Sequence, residues 1–561
     1  MAMQQNVFIL GWTTLLCLAV ASPLSAHAAI DATTKKVFQA NCVSCHSPTG
    51  SASGVLPSFE EKDLIQRGLI VPGDPNASRL FKRVNSGEMP PGIPLQNPAQ
   101  AKAALRSWIE KLKKPVAPSG ALVHVSKPKA TSAKSTEPVV NNRPECVPET
   151  QLIEEAKSDL EKTPTADRNF TRYLSLAPGW NPSGTRAGVA NESAGVLKAL
   201  NSVNWSSQLI TEKLVGKSQL LLKIDLRDLK EFGGVRSWSA DMWNSLQDAN
   251  PINAITSPQQ AAIFKSLTGT NSPLMTSDAF VGTVLKEPNY SRIMGTGADQ
   301  NFVKRILVDE DSHDVTRAGN RRSGVSKNNR IIERRATASY PGTYWSSFDF
   351  KSSDNTNDIS DHPLDGSFAG GEFIYTLPNG MLAFALTNNQ GKKIFRGPAQ
   401  IVQDLLRADQ TVTNPVSCFR CHAQGFLNMT DTVRDNVEAH PKRFDQATRD
   451  QVRALFPPAS QFQSQVQKDT RRFRASLGKI TPSDATHDDP VTPLVDRFDK
   501  GLPLSQFACE LGVTPEKLAV ALPTLVNEGL SLDPDTHCIA PQSLQIGDFT
   551  RWVKRIRELT Q

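Results

Sequence analysis

A chain of 561 residues is too long for one ordinary hydrophobic core and implies roughly three or four domains. Its 39% hydrophobic and 21% charged content is that of a soluble globular protein. The net charge of +7 is modest for this length and makes no case for a nucleic-acid partner, although a basic surface would suit an acidic redox protein or an anionic membrane face. Residues 1–28 read as an export signal. Val7 to Ala21 is an almost uncharged apolar run, and Ala26-His27-Ala28 supplies small residues for cleavage. Met1 to Asn6 lacks the usual Lys or Arg, and bulky Leu16 before Cys17 makes a poor lipidation site. The alternative is an uncleaved anchor. No later stretch reaches the ~18 apolar residues of a membrane helix, so no integral span is expected after signal cleavage.

Residues 29–114 are expected to form a compact all-α domain. Helices are predicted from Ala32 to Asn41, from Glu60 to Gly68 and from Ser78 to Ser86, the last with Ser78 as its cap. A final helix, Pro98 to Lys114, carries Ala101, Leu105, Trp108, Ile109 and Leu112 at helical spacing and is expected to pack across the first. Residues 115–144 are rich in Pro, Ser, Ala, Thr and Lys, nearly lack large apolar side chains, and read as a flexible linker.

Residues 145–480 alternate between patterns and are expected to form a mixed α+β body. Glu149 to Glu161, Asn191 to Leu200 and Ser257 to Leu267 read as helices, and Leu220 to Asp225 as a buried strand. Glu372 to Leu377, then Pro378-Asn379-Gly380, then Met381 to Leu386 is a hairpin signal, because Asn-Gly supplies the positive backbone angles of a tight turn. Ala399 to Ala408 is predicted helical. Residues 481–561 read as a helical C-terminal segment. The chain has no P-loop, no Rossmann glycine pattern and no His-Glu-x-x-His.

Two Cys-x-x-Cys-His pentads stand out, Cys42-Val43-Ser44-Cys45-His46 and Cys418-Phe419-Arg420-Cys421-His422. This pentad is the attachment signature of c-type haem. Two cysteines add to the porphyrin vinyl groups as thioethers, and the adjacent histidine becomes the proximal iron ligand. The expected cofactors are therefore two covalent haem c groups, held by Cys42, Cys45, Cys418 and Cys421, with His46 and His422 as axial ligands. A structural disulfide or a zinc site is the competing reading of each pentad.

The sixth ligand of the first haem is expected to be Met89, between Gly87-Glu88 and Pro90-Pro91. A thioether opposite histidine raises the haem potential and favours electron transfer. The competing reading makes Met89 a core residue. For the second haem, His362 ranks first, then His440, then no protein ligand. Met429 lies too close to His422 in sequence, and Met381 starts a strand. A filled sixth position suits electron transfer; an open one permits peroxide or oxygen chemistry.

Of the remaining cysteines, Cys17 falls in the signal, leaving Cys146, Cys509 and Cys538. A Cys509–Cys538 disulfide is expected from proximity in sequence, with Cys146–Cys509 and Cys146–Cys538 as rivals. Arg317, Arg321, Arg322, Lys327, Arg330, Arg334 and Arg335 form a basic stretch that would hold haem propionates, dock an acidic partner or simply be solvated. Tyr340, Tyr344, Trp345, Phe348 and Phe350 follow as core or haem-pocket aromatics.

The segment Cys42-Val-Ser-Cys-His46, Val71-Pro-Gly-Asp-Pro-Asn-Ala-Ser78-Arg-Leu and Glu88-Met89-Pro-Pro91 resembles the planctomycete-type cytochrome c domain, which implies His46/Met89 ligation. The region from about Trp180 onward is similar to an extension of exported bacterial cytochrome c proteins that has no defined activity. Leu200-Asn-Ser-Val-Asn-Trp205, Ile224-Asp-Leu-Arg-Asp228, Gly324-Val-Ser-Lys-Asn-Asn-Arg330, Gly370-Gly-Glu372 and Ser417 to His422 carry that likeness. The expected protein is a periplasmic or secreted bacterial dihaem cytochrome that transfers electrons to a redox partner. The alternatives are a peroxidase-like dihaem oxidoreductase with an open second haem, and a haem-based redox or gas sensor.

Overall fold

The computed structural model describes residues 30–42, 59, 61–66, 69–76, 78–86, 97–112, 146–247, 250–295, 315–321, 328–337, 340–351, 357–397, 402–404, 410–486, 489–533, 538–539 and 546–560. They fall into two compact units, one within 30–112 and the other within 146–560. The expected signal and linker lie outside the described residues.

In the first unit, Asp31 opens the Ala32–Asn41 helix by accepting hydrogen bonds from the N–H groups of Thr33 and Thr34 at 3.0 and 2.9 Å. Satisfying those orphan donors fixes where the helix starts. The Pro98–Lys111 helix carries proline in its first turn, where no donor is lost. Ala101, Leu105, Trp108, Ile109 and Leu112 are all buried, as their spacing predicted. Phe38 of the first helix meets Trp108 edge to face at 5.7 Å and stacks on Phe59 at 4.6 Å. Shorter helices span Glu61–Gln66 and Arg79–Ser86. Ser78 holds the expected cap position, its carbonyl accepting from the Lys82 N–H at 3.0 Å, but its side chain is engaged with the preceding turn. Its Oγ accepts from the Val71 N–H at 2.9 Å and donates to the Asp74 carbonyl at 2.7 Å, so it closes the Pro-Gly-Asp-Pro turn.

The second unit contains two sheets. The smaller one orders β1 (Thr171–Ser175), β2 (Leu214–Val215), β3 (Leu221–Asp225) and β4 (Leu274–Thr276) as β2-β3-β1-β4, with only β1–β4 parallel. The larger is an antiparallel meander, β5 (Thr316–Asn320), β6 (Arg330–Ala336), β7 (Thr343–Phe350), β8 (Phe368–Thr376), β9 (Leu382–Asn388) and β10 (Lys393–Ile394). The β8–β9 hairpin forms as expected, and Gly380 adopts φ +86° in its turn. That turn is not solvated. Asn379 donates to the carbonyls of Asn201 and Asn204 at 2.9 and 3.1 Å, and Ser476 donates to the Asn379 carbonyl at 2.8 Å.

Strands β5 to β7 occupy the segment read as a basic run followed by an aromatic run. Within the stretch expected to be a helix at Ala399 to Ala408, the described residues Val402 to Asp404 are not helical. Gln403 bridges Thr411 instead, and Val402 packs with Leu386 and Val412. The C-terminal helices Val491–Lys500, Leu504–Glu510, Pro515–Asn527 and Ile546–Thr560 do form. They are not a separate segment in packing terms, because Leu494, Phe507, Leu525 and Trp552 share one core with Leu197, Phe280 and Phe384. Among the described residues no helix is long and apolar enough to cross a membrane.

The expected Cys509–Cys538 disulfide is replaced by Cys146–Cys509, with Cα atoms 5.9 Å apart. Folding brings the start of the body against the Leu504–Glu510 helix, whereas Cys538 precedes Ile539, which bridges Leu502 and Leu532. Sequence proximity misled because the link closes 363 residues.

Candidate haem attachment sites

The second pentad occupies the Val416–Cys421 helix, with His422 at its C-cap. Ser417 Oγ accepts from the Thr413 N–H at 3.0 Å and donates to Asp404 at 2.6 Å, which fixes the helix start. Arg420 adds an ion pair to Asp404 at 3.5 Å. Val416, Ser417 and Phe419 are buried, and Phe419 meets Phe384 of β9 edge to face at 5.3 Å. Cys418, Cys421 and His422 are partly exposed. Positions i, i+3 and i+4 lie on one face of a helical turn. The two sulfurs and the imidazole therefore share one half-open face, backed by a packed one.

Past the helix the chain reverses at Gly425, with φ +116°. A Cβ there would stand 2.8 Å from Thr470 Cγ2, so both the angle and the space call for glycine. This turn aims the Gly425 carbonyl at His422 Nδ1, 3.0 Å away. A carbonyl only accepts, so Nδ1 carries the proton and Nε2 keeps its lone pair. Burial pushes the His422 imidazolium down to about 4, with the Arg330 and Lys198 cations acting the same way against the Gly425 hydrogen bond. The ring is neutral at ordinary pH and presents Nε2 as a ligand atom, held by the outer bond that iron-binding histidines use.

Both thiols are held neutral. Burial pushes Cys421 up to about 12, helped by Asp404 and Glu372, and raises Cys418 well above its ordinary value, with Glu372 adding. Uncharged thioethers suit that environment. Among the described residues no group of three or more His, Cys, Asp or Glu side chains could hold a metal ion. Beside the helix, Asn414 Nδ2 and Thr413 Oγ1 are buried without hydrogen-bond partners, and Asn414 Oδ1 lies 3.8 Å from Cys418 Sγ. Two thiols and a free Nε2 on one half-open face are the donor set that a covalently held porphyrin uses.

The candidate sixth ligands are scattered. His362 is 38% exposed, with Nδ1 3.7 Å from the Asp365 carboxylate. His440 is exposed and donates Nδ1–H to the Asn436 carbonyl at 2.8 Å. Asn436 in turn donates to the Ser360 carbonyl at 2.9 Å, beside the apolar cluster of Ile359, Val433 and Val437, whereas Phe419 belongs to the main core. Met381 is fully buried in that core, and Met429 packs beside Trp345 and Phe462. His124, His313, His487 and His537 lie outside the described residues.

The basic stretch differs from its sequence reading. Arg330 grips both oxygens of Asp349 at 2.9 and 2.7 Å and Glu372 at 2.8 Å. Arg334 grips Asp469, Arg335 and Arg317 share Glu333, and Arg321 reaches Asp358. These five are committed to the chain's own carboxylates; Arg322 and Lys327 lie outside the described residues. Of the aromatics, Tyr344, Trp345 and Phe350 are core residues. Lys198, Asp404 and Glu372 were missed as neighbours of the site. The signal for Lys198 was a lone cation in the otherwise apolar Gly195-Val196-Leu197-Lys198-Ala199-Leu200. It is buried, donates to the Ala423 carbonyl at 3.4 Å and lies 5.7 Å from the Phe419 ring centre.

At the first pentad, Cys42 ends the Ala32–Asn41 helix, its N–H donating to the Phe38 carbonyl at 2.8 Å. Cys45, His46 and Met89 lie outside the described residues. Residues 42–92 match the family model described as planctomycete cytochrome C. That match marks a cytochrome c-type domain, of a kind typically exported, and with it covalent haem c and an electron-transfer role. No curated protein and no solved structure matches the chain.

Proposed function

We propose that this chain is an exported dihaem c-type cytochrome that passes electrons between a redox partner and a second haem in its larger unit. Bound at each pentad, haem c supplies reversible one-electron exchange. Cys42, Cys45, Cys418 and Cys421 anchor it, and His46 and His422 are the proximal ligands. Met89 is the proposed sixth ligand at the first site, and His362 remains the first candidate at the second. Lys198 and the Arg330 guanidinium depress the His422 pKa, so their field reaches the ring, and positive charge there favours the reduced state.

The observation that carries the second site is His422 Nδ1 on the Gly425 carbonyl, with Nε2 left bare beside two neutral thiols on one face. Potentiometric titration of the mature protein, followed optically, tests the reading. Two reversible one-electron steps with low-spin spectra and no cyanide uptake are expected. A single step would remove the dihaem reading.

A second reading is favoured by the surface positions of the candidate sixth ligands, His440 being exposed and the His362 side chain 38% exposed. An open sixth position would then make the second site a peroxidase-like centre, with a high-spin ferric spectrum and rapid cyanide or azide binding.

A further inference from the structure

The Ala459–Ile480 helix backs the second pentad. Its buried face carries Phe462, Val466, Asp469, Phe473 and Ile480. Asp469 is its only acidic residue, and it is consumed by Arg334 and by the Trp345 indole N–H at 2.9 Å. Lys468, Arg471, Arg474 and Lys479 are all exposed. At 100° per residue they fall in one arc, along about 16 Å of helix. Between them the arc holds only Ala475 and Gly478, with Ser464 and Gln467 just before it, so it has no large apolar side chain to enter a lipid layer. None of the four cations is ion-paired with a described carboxylate. The contrast with Arg330 and Arg334 is direct: those are buried and neutralised by the chain's own carboxylates, and these face outward.

The same helix is wired to the pentad loop. Arg474 Nε donates to the Gln424 carbonyl at 2.9 Å. The single peptide group between Gly425 and Phe426 does more. Its N–H donates to Thr470 Oγ1 at 3.2 Å, and its carbonyl accepts from His422 Nδ1 at 3.0 Å. One peptide therefore links the helix to the proximal imidazole.

We propose that the Lys468–Arg471–Arg474–Lys479 ridge is the docking surface for an acidic redox protein that exchanges electrons with the second haem. This rests on the dihaem reading above. Complementary charge raises the encounter rate and orients the partner over the loop that holds His422. An anionic membrane would meet the same charges but would gain nothing from their connection to the ligand loop.

The test uses the full-length, haem-loaded protein and its Lys468→Glu/Arg471→Glu variant, neither position touching the pentad loop through a described bond. Reduction of the second haem is followed by stopped flow, with reduced flavodoxin as the acidic protein probe and hexaammineruthenium(II) as a small cationic one. The flavodoxin rate constant is expected to fall about tenfold or more at low salt, and the two proteins to converge near ~0.5 M salt. The rate with hexaammineruthenium(II) should hold or rise. A Lys468→Gln/Arg471→Gln variant should fall between. A flavodoxin rate within about twofold of the parent at low salt, with both haems present, overturns the docking surface. So does loss of binding to phosphatidylserine vesicles with the flavodoxin rate unchanged, which would assign the ridge to a membrane. Absence of a haem on Cys418 and Cys421, read from intact mass, instead overturns the dihaem reading and takes the surface with it.

Discussion

Cys42 closes a ten-residue helix whose buried Phe38 meets Trp108, whereas Cys418 sits in a six-residue helix braced by Asp404, a β-hairpin and the Thr470 loop contact. The same five-residue motif is thus approached by two unlike supports. The first rests on apolar packing between two amphipathic helices. The second rests on polar anchors made by residues far away in sequence. At the second pentad the surroundings set how firmly the His422 imidazole is aimed.

Perturbing each support should therefore break the two regions separately. Trp108→Ala removes the largest buried ring of the first unit and should cost about 3–5 kcal/mol there. Calorimetry should show one unfolding transition lowered, with the transition of the larger unit unmoved. Gly425→Ala should cost about 1–3 kcal/mol in the larger unit, from the φ of +116° and the Thr470 contact. Its more telling readout is the absorption spectrum: the second haem's bands should shift while the first haem's stay fixed.

A further expected effect is a pH slope. Burial pushes the Glu149 carboxyl up to about 8 from an ordinary 4.5, against its Ser175 hydrogen bond and with the Asp278 charge adding. Between those values the folded state holds the extra proton, so stability should fall as pH rises from about 4.5 to 8. Glu149→Gln should flatten that slope in denaturant titrations at a series of pH values. The first unit, which lacks this residue, should keep its own profile.

The pentads, the apolar stripe of Pro98–Lys111 and the Asn-Gly hairpin were legible because each rests on a local rule: spacing, helical period or turn chemistry. Strands β5 and β6 were not, because their arginines read as a stretch for haem propionates, an acidic partner or solvent until Asp349, Glu372 and Asp469 arrived from other elements to pair them. The disulfide partner of Cys509 was hidden for the same reason. His422 was named from sequence, but Gly425 and Thr470, which orient it, carry no motif of their own.

Intact mass of the mature chain beside its Cys418→Ala/Cys421→Ala variant tests the second haem most directly. Two covalent haem additions in the parent and one in the variant are predicted. A single addition in both would contradict the account.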